Sequence, residues 1–233
     1  MMKARAARLA NCLFLLAVLG SRTDAAPPAQ PTQPAQQPTT TSAVAGNVDL
    51  KRSRIYVRVG KLGLGHEHGV EGALKSGDLK LDAATSAGTL VFDLLNFKAD
   101  LPEARTYVGL EGEIDASDRR QVNQALRSRD VLHVARYPTA TFTVRSSQAV
   151  TPPAGQAISQ YELEGEFDLH GVRRPLKVLA TVEHAENALH VRGKFNIKQS
   201  DHGIKPYSKY LGTVRVADEL TIWGDLWLLD RSK

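Results

Sequence analysis

From about residue 47 onward the chain alternates apolar and polar residues with a period of two. The clearest stretch is Tyr161–Leu169, where Leu163, Gly165, Phe167 and Leu169 share one face and Glu162, Glu164, Glu166 and Asp168 the other. Leu189, Val191, Gly193, Phe195 and Ile197 alternate in the same way with His190, Arg192, Lys194 and Asn196. Leu176, Val178, Ala180 and Val182 make a third row, and Ile55, Val57 and Val59 a fourth. One face in the core and one in water is the mark of antiparallel sheet. The connectors Ser76-Gly77-Asp78, His170-Gly171-Val172 and Glu186-Asn187 are short and turn-rich. Further strands are expected near residues 67–75, 78–83, 88–95, 139–147 and 218–228.

One stretch departs from this rhythm. Asp115-Ala116-Ser117-Asp118 offers a helix start, and Val122, Ala125 and Leu126 then fall on one helical face. A helix over about residues 117–129 is predicted. The last strand carries Leu220, Ile222, Gly224, Leu226 and Leu228 on one face and Trp223 and Trp227 on the other, so both faces call for cover. The predicted helix is a candidate to cover the outer one.

About eight to ten strands without alternating βα units specify a single all-β, mainly antiparallel domain. Such a sheet becomes a sandwich or closes into a barrel, and an eight-stranded barrel is either packed solid or holds one ligand. Gly165, Gly193 and Gly224 interrupt the inward rows. Glycine there serves two ends: it permits the coiling that closure requires, and it leaves volume unfilled.

Composition narrows the picture. Hydrophobic residues at 42% and charged residues at 24% exclude wholesale disorder. Residues 1–25 read as an export signal: Lys3, Arg5 and Arg8 precede the apolar run Leu13–Leu19, and Thr23-Asp24-Ala25 offers a cleavage site. A lipid-anchor reading of Leu9-Ala10-Asn11-Cys12 fails on order, because the cysteine precedes the apolar run. Residues 26–46 form an uncharged Pro/Gln/Thr/Ala tract, expected to be a flexible spacer before the domain at 47–233. Removing residues 1–25 leaves 26 of 30 basic and 24 of 25 acidic residues, so the net charge falls from +5 to about +2. That balance gives no footprint for nucleic acid. The single cysteine, Cys12, leaves with the signal, which excludes a disulfide framework or a zinc site of several thiolates.

Few residues suggest chemistry. His66 and His68 lie two apart, so on a strand both rings face one side, as in metal-ligand pairs, yet spacing fixes no third ligand. Gly63-Leu64-Gly65 lacks the βα context of a nucleotide site. The carboxylate row Glu162, Glu164, Glu166 and Asp168 is read as the wet outside of the sheet rather than a glycosidase pair. Arg173-Arg174 and Arg119-Arg120 are candidates to meet an anionic headgroup, or simply solubilising charge.

Four segments in order resemble the YceI-like family of exported lipid-binding proteins. They are Leu163–Leu176, with its His170-Gly171-Val172-Arg173-Arg174-Pro175 core; Leu126–Leu132 followed by Tyr137-Pro138-Thr139-Ala140-Thr141-Phe142; Gly65-His66-Glu67-His68-Gly69; and Asp201-His202-Gly203-Ile204. The resemblance covers about residues 47–230 and is poorest over 96–114. It implies an eight-stranded lipocalin-like β-barrel with one short helical insertion. It also implies a hydrophobic pore holding a polyisoprenoid or similar long-chain amphiphile, and no enzymatic activity.

The chain is therefore expected to be a periplasmic or secreted carrier without cofactor, metal or catalytic residue. The inward residues Ile55, Val57, Val59, Phe142, Leu163, Phe167, Val178, Val191, Phe195 and Ile222 are its expected ligand-binding residues. Its partner is a polyisoprenoid or other amphiphilic lipid, with transient membrane contact and a homodimer compatible with the sequence. Two rivals stand beside it: a metal-dependent enzyme using His66 and His68, and a packed structural barrel without ligand.

Overall fold

The computed structural model describes residues 47–151, 158–185 and 187–229. The expected export signal and the spacer after it lie outside these residues. Among the described residues eleven strands form one sheet. They are β1 (Arg54–Gly63), β2 (His68–Gly72), β3 (Leu74–Leu79), β4 (Gly88–Asp93), β5 (Lys98–Ala99), β6 (Thr139–Val150), β7 (Ser159–Leu169), β8 (Val172–Ala185), β9 (Ala188–Lys198), β10 (Ser208–Lys209) and β11 (Val214–Leu229). Two helices, α1 (Pro102–Tyr107) and α2 (Ala116–Arg127), lie between β5 and β6. All ladders are antiparallel.

The order is β3-β4-β6-β7-β8-β9-β11-β1-β2-β5, with β10 on β11. Its two ends are closed by the chain itself. The stretch expected as one strand over 67–75 breaks at Ala73, so that β2 pairs with β1 and β3 turns away to pair with β4. Counting β2 and β3 as one bent strand, and setting aside the two-residue β5 and β10, eight strands make the curled wall. The corner is tied by Ala73 O, which accepts from Asp93 N at 3.0 Å. Asn47 and Val48 span the remaining seam: Asn47 Oδ1 accepts from Leu79 N at 2.9 Å, Val48 N donates to Gly77 O, and Val48 bridges Leu228.

Curvature has a local source in β6, where Val144 faces Gly165 and Ser146 faces Glu164, leaving Arg145 as an extra residue. Such a bulge bends the strand and increases its twist. Gly165 is what lets the backbones approach there. A Cβ on it would sit 2.1 Å from the Thr143 carbonyl oxygen.

Strands β8 and β9 pair only from Ala180 and Gly193 downward. Above that point they diverge, which is why Pro175, lacking a backbone donor, is tolerated inside β8. A short 3₁₀ turn at Ser200–His202 occupies the splay. His202 is fully buried with Nδ1 3.0 Å from Val172 O, and Arg174 Nε donates to Asp201 O at 2.9 Å. The β7–β8 turn places His170 and Gly171 both at positive φ, the geometry of a tight hairpin turn, and Tyr137 packs 4.5 Å from the His170 ring. Three of the family-like segments thus meet at one corner, where they hold strands together.

Helix α2 starts on Asp115, whose side chain accepts from Ser117 N. Its apolar side does not cover the outer face of β11. Instead the helix lies against β5, where Asn123 bonds both the N–H and the carbonyl of Ala99, at 2.9 and 3.1 Å, and so stands in for a further strand. The outer face of β11 finds different partners. Trp227 stacks on His190 at 4.0 Å under the Arg52 guanidinium, and Trp223 has the Lys194 ammonium over its ring.

Candidate ligand-binding site

The inward rows of the wall surround a cavity of about 350 Å³. Every one of the ten residues expected from alternation contributes to its lining: Ile55, Val57 and Val59 from β1, Phe142 from β6, Leu163 and Phe167 from β7, Val178 from β8, Val191 and Phe195 from β9, and Ile222 from β11. Val70, Leu90, Phe92, Ala140, Leu176 and Leu226 join them. Val48, Leu79, Val182 and Leu228, buried in the same core but outside the lining, fill the far end. At the near end, Val122, Ala125 and Leu126 of α2 face the lumen as a cap.

The glycines in the inward rows divide their work. Gly193 and Gly224 line the cavity, and Gly224 has only Ile55 Cδ1, at 3.9 Å, near the position of a Cβ. Gly165 does not line it; its space is taken by the β6 backbone. Both uses of glycine left open by the sequence are present, on different strands.

The polar part of the lining gathers at the mouth: His66, Asp118, Gln121, Lys209 and Arg215 are exposed there, with Tyr207 half-buried. Arg119, Arg120, Arg173 and Arg174 are not among the lining residues. Arg173 pairs with Asp168 at 3.5 Å on the exposed face, and Lys177 answers Glu162 and Glu164 at 3.4 and 3.5 Å. The carboxylate row is therefore on the outside of the sheet.

His66 and His68 do share the lumen side, and Glu67 points the other way to meet the Arg58 guanidinium at 3.1 Å. Among the described residues no three His, Cys, Asp or Glu side chains converge as a metal-ligand set. His68 is engaged otherwise. Its Nδ1 lies 2.7 Å from Asp100 Oδ2, and the Asp100 side chain is fully buried. Asp100 Oδ1 accepts from Gly69 N at 3.2 Å and from Arg105 Nη1 at 3.0 Å. Burial alone would raise the Asp100 carboxyl, but the hydrogen bond and charge of His68, then the bonds from Arg105 and Gly69, outweigh it and hold the group below the usual carboxylate range.

Arg105 is itself buried and donates to the carbonyls of Glu67, Glu111 and Gly112 at 3.0, 2.7 and 2.8 Å. It thereby ties α1 to β2 and to the connector leading into α2. Asp100 and Arg105 fall in the stretch where the family resemblance is poorest, and neither was singled out by sequence. The signal that bears on them is the acid just before Leu101-Pro102, a helix-entry pattern that says nothing of a partner 32 residues away.

The YceI-like domain family matches residues 47–226. The chain belongs to the YceI-like family. Among solved structures it is similar to Burkholderia cenocepacia BcnA, with a TM-score of 0.52 and 21% identity over 77% of this chain and 98% of that one. It is also similar to a polyisoprenoid binding domain from Saccharophagus degradans implicated in plant cell wall breakdown (TM-score 0.49, 17% identity, 78% and 97% covered). A third likeness is to the Campylobacter jejuni YCEI protein (TM-score 0.47, 13% identity, 73% and 89% covered). No curated protein matches. At 21% identity the BcnA match is a likeness of fold, and it agrees with a lipocalin-like YceI barrel of antiparallel strands with short helices.

Proposed function

We propose that this YceI-like protein is an exported carrier that holds one long-chain amphiphile, of polyisoprenoid or similar type, in the barrel lumen. One observation carries the reading: an apolar hollow of about 350 Å³ runs through the place where a packed barrel would have side chains. That volume lies within the roughly 300–1,000 Å³ typical of small-ligand pockets. Transfer of a chain from water into such a space contributes about 0.8 kcal/mol per buried CH₂, so tight binding requires few hydrogen bonds and no catalytic group. The ten lining residues named from the sequence are the ligand-binding residues in this reading. The same hollow disfavours the packed structural barrel.

Export belongs to the proposal as well. The signal-like residues 1–25 deliver the domain to the periplasm or the medium, and a mature protein beginning at Ala26 is expected by mass spectrometry. The decisive experiment is organic extraction of protein purified from an exporting host. A co-purifying long-chain lipid near one per chain supports the carrier. Extracts empty of lipid, together with failure to bind a fluorescent long-chain probe, overturn it.

A further inference from the structure

We propose that His68 is the polar anchor of this cavity and that it selects amphiphiles whose head carries a hydrogen-bond donor, an alcohol or a phenol. The inference rests on the carrier reading and names the head chemistry of its ligand. His68 stands on β2 two residues before Val70, on the same face, and both line the lumen. Its Nδ1 is 2.7 Å from Asp100 Oδ2. An ionised carboxylate can only accept, so Nδ1 carries the proton, and in the neutral ring Nε2 is left as an acceptor. Nε2 makes no hydrogen bond to a described residue and is open to solvent at the lumen edge, 17% of the side chain being exposed.

The ring is fixed from behind. Asp100 receives Gly69 N–H and Arg105 as well as His68, and Arg105 is locked by three backbone carbonyls. A group held this way loses little freedom when a ligand arrives. Of the other polar lining side chains, His66, Asp118, Gln121, Lys209 and Arg215 are exposed to water and Tyr207 is half-buried. The buried Gln199 is tied through its amide N–H to Ala217 O at 2.8 Å and keeps its carbonyl oxygen as a second acceptor, one that His68→Phe does not touch. His68 is thus a preoriented acceptor at the edge of an apolar space, and a ligand hydroxyl is the complement it lacks.

The test compares 1-hexadecanol with its methyl ether, which shares the chain but has no donor, by competition against a fluorescent long-chain probe on the full chain at pH 8. Wild-type protein is expected to prefer the alcohol by about tenfold, the scale of one net hydrogen bond. His68→Phe is expected to bind both at the level of the ether. Equal binding of alcohol and ether by the wild type overturns the anchor while the carrier reading stands. A tenfold preference that survives in His68→Phe also overturns it. Palmitate that binds more tightly than the alcohol, with the advantage lost in His68→Phe, overturns the choice of a donor head. If neither hexadecyl compound competes, the carrier reading and the anchor fall together.

Discussion

Tyr107, at the end of α1, stacks on Tyr56 of β1 with ring centroids 3.8 Å apart and planes 16° from parallel. Its hydroxyl donates to Asp225 Oδ2 at 3.0 Å, and the other oxygen of that carboxylate lies 2.8 Å from His190 Nε2. The short helix is thereby fastened to the outer face of β1 and β11. Tyr107→Ala is expected to cost about 1–2 kcal/mol from the lost stack and its buried area, and Tyr107→Phe less than about 1 kcal/mol. Urea denaturation of the two variants separates the ring from the hydroxyl.

The same pair sets an alkaline limit. Burial first, and then nearby carboxylates, raise both the Tyr56 and Tyr107 phenols above their ordinary value near 10. Their contribution is complete below about pH 10 and is lost as pH rises beyond it, because the unfolded chain ionises first. Wild-type stability is expected to fall more steeply than that of the Tyr107→Phe variant between pH 9.5 and 11.

Asp100 gives a dependence of the opposite sign. Its folded-state carboxyl is depressed, so its stabilisation is present above the ordinary carboxylate value of about 4 and is lost as pH drops below it. Asp100→Asn keeps the shape, and asparagine tolerates the positive φ at this position. The substitution leaves Arg105 buried without its counter-charge, at a cost of about 3 kcal/mol. Denaturation at pH 7 measures that loss, and the variant is expected to show a shallower decline from pH 5 to pH 3.

His170 adds a milder step near neutrality. Burial first, helped by the nearby His133 and Arg136 and opposed by a hydrogen bond with the His202 backbone, lowers its affinity for a proton. Its contribution is present above about pH 6.5 and fades below, as the unfolded chain gains a proton that the fold resists. His170→Asn suits the left-handed turn position and is expected to remove that part of the slope between pH 7.5 and 5.5.

The inner glycines offer a paired test of hollow against coil. Gly165→Ala drives a methyl into the Thr143 carbonyl and is expected to destabilise by about 3 kcal/mol. Gly224→Ala meets only an ordinary contact and is expected to be neutral within about 1 kcal/mol. Gly224→Leu projects into the lumen and displaces about three or four methylenes of ligand, weakening long-chain binding by about 100-fold. Thermal unfolding and probe competition read the two effects independently.

Much of this architecture was legible because water enforces alternation. Where one face is wet and the other dry, as in β7, β8 and β9, the inward residues announce themselves, and most of those named line the lumen, Gly165, Val182 and Leu189 being the exceptions. The bend at Ala73 left no such trace, since Val70, Leu74 and Leu79 are buried on both sides of the corner. Strand β5 is too short to show a period. The target of the apolar side of α2 was misread because a helical stripe tells which residues seek cover and not what supplies it. The His68–Asp100–Arg105 group was hidden for another reason: its members come from β2, a two-residue strand's end and α1, and only the fold brings them together.

The corner at Ala73 bears on how such a greasy vessel stays dispersed. Sheets invite neighbours through unpaired rims, where bare amides template another chain. Here both rims belong to one bent segment: its first half continues only into the two residues of β5, and Asn47 and Val48 occupy the flank of its second half. The backbone left for a stranger's strand to adopt is thus drawn away from both ends of the sheet and confined to the splay between β8 and β9 above Ala180 and Gly193.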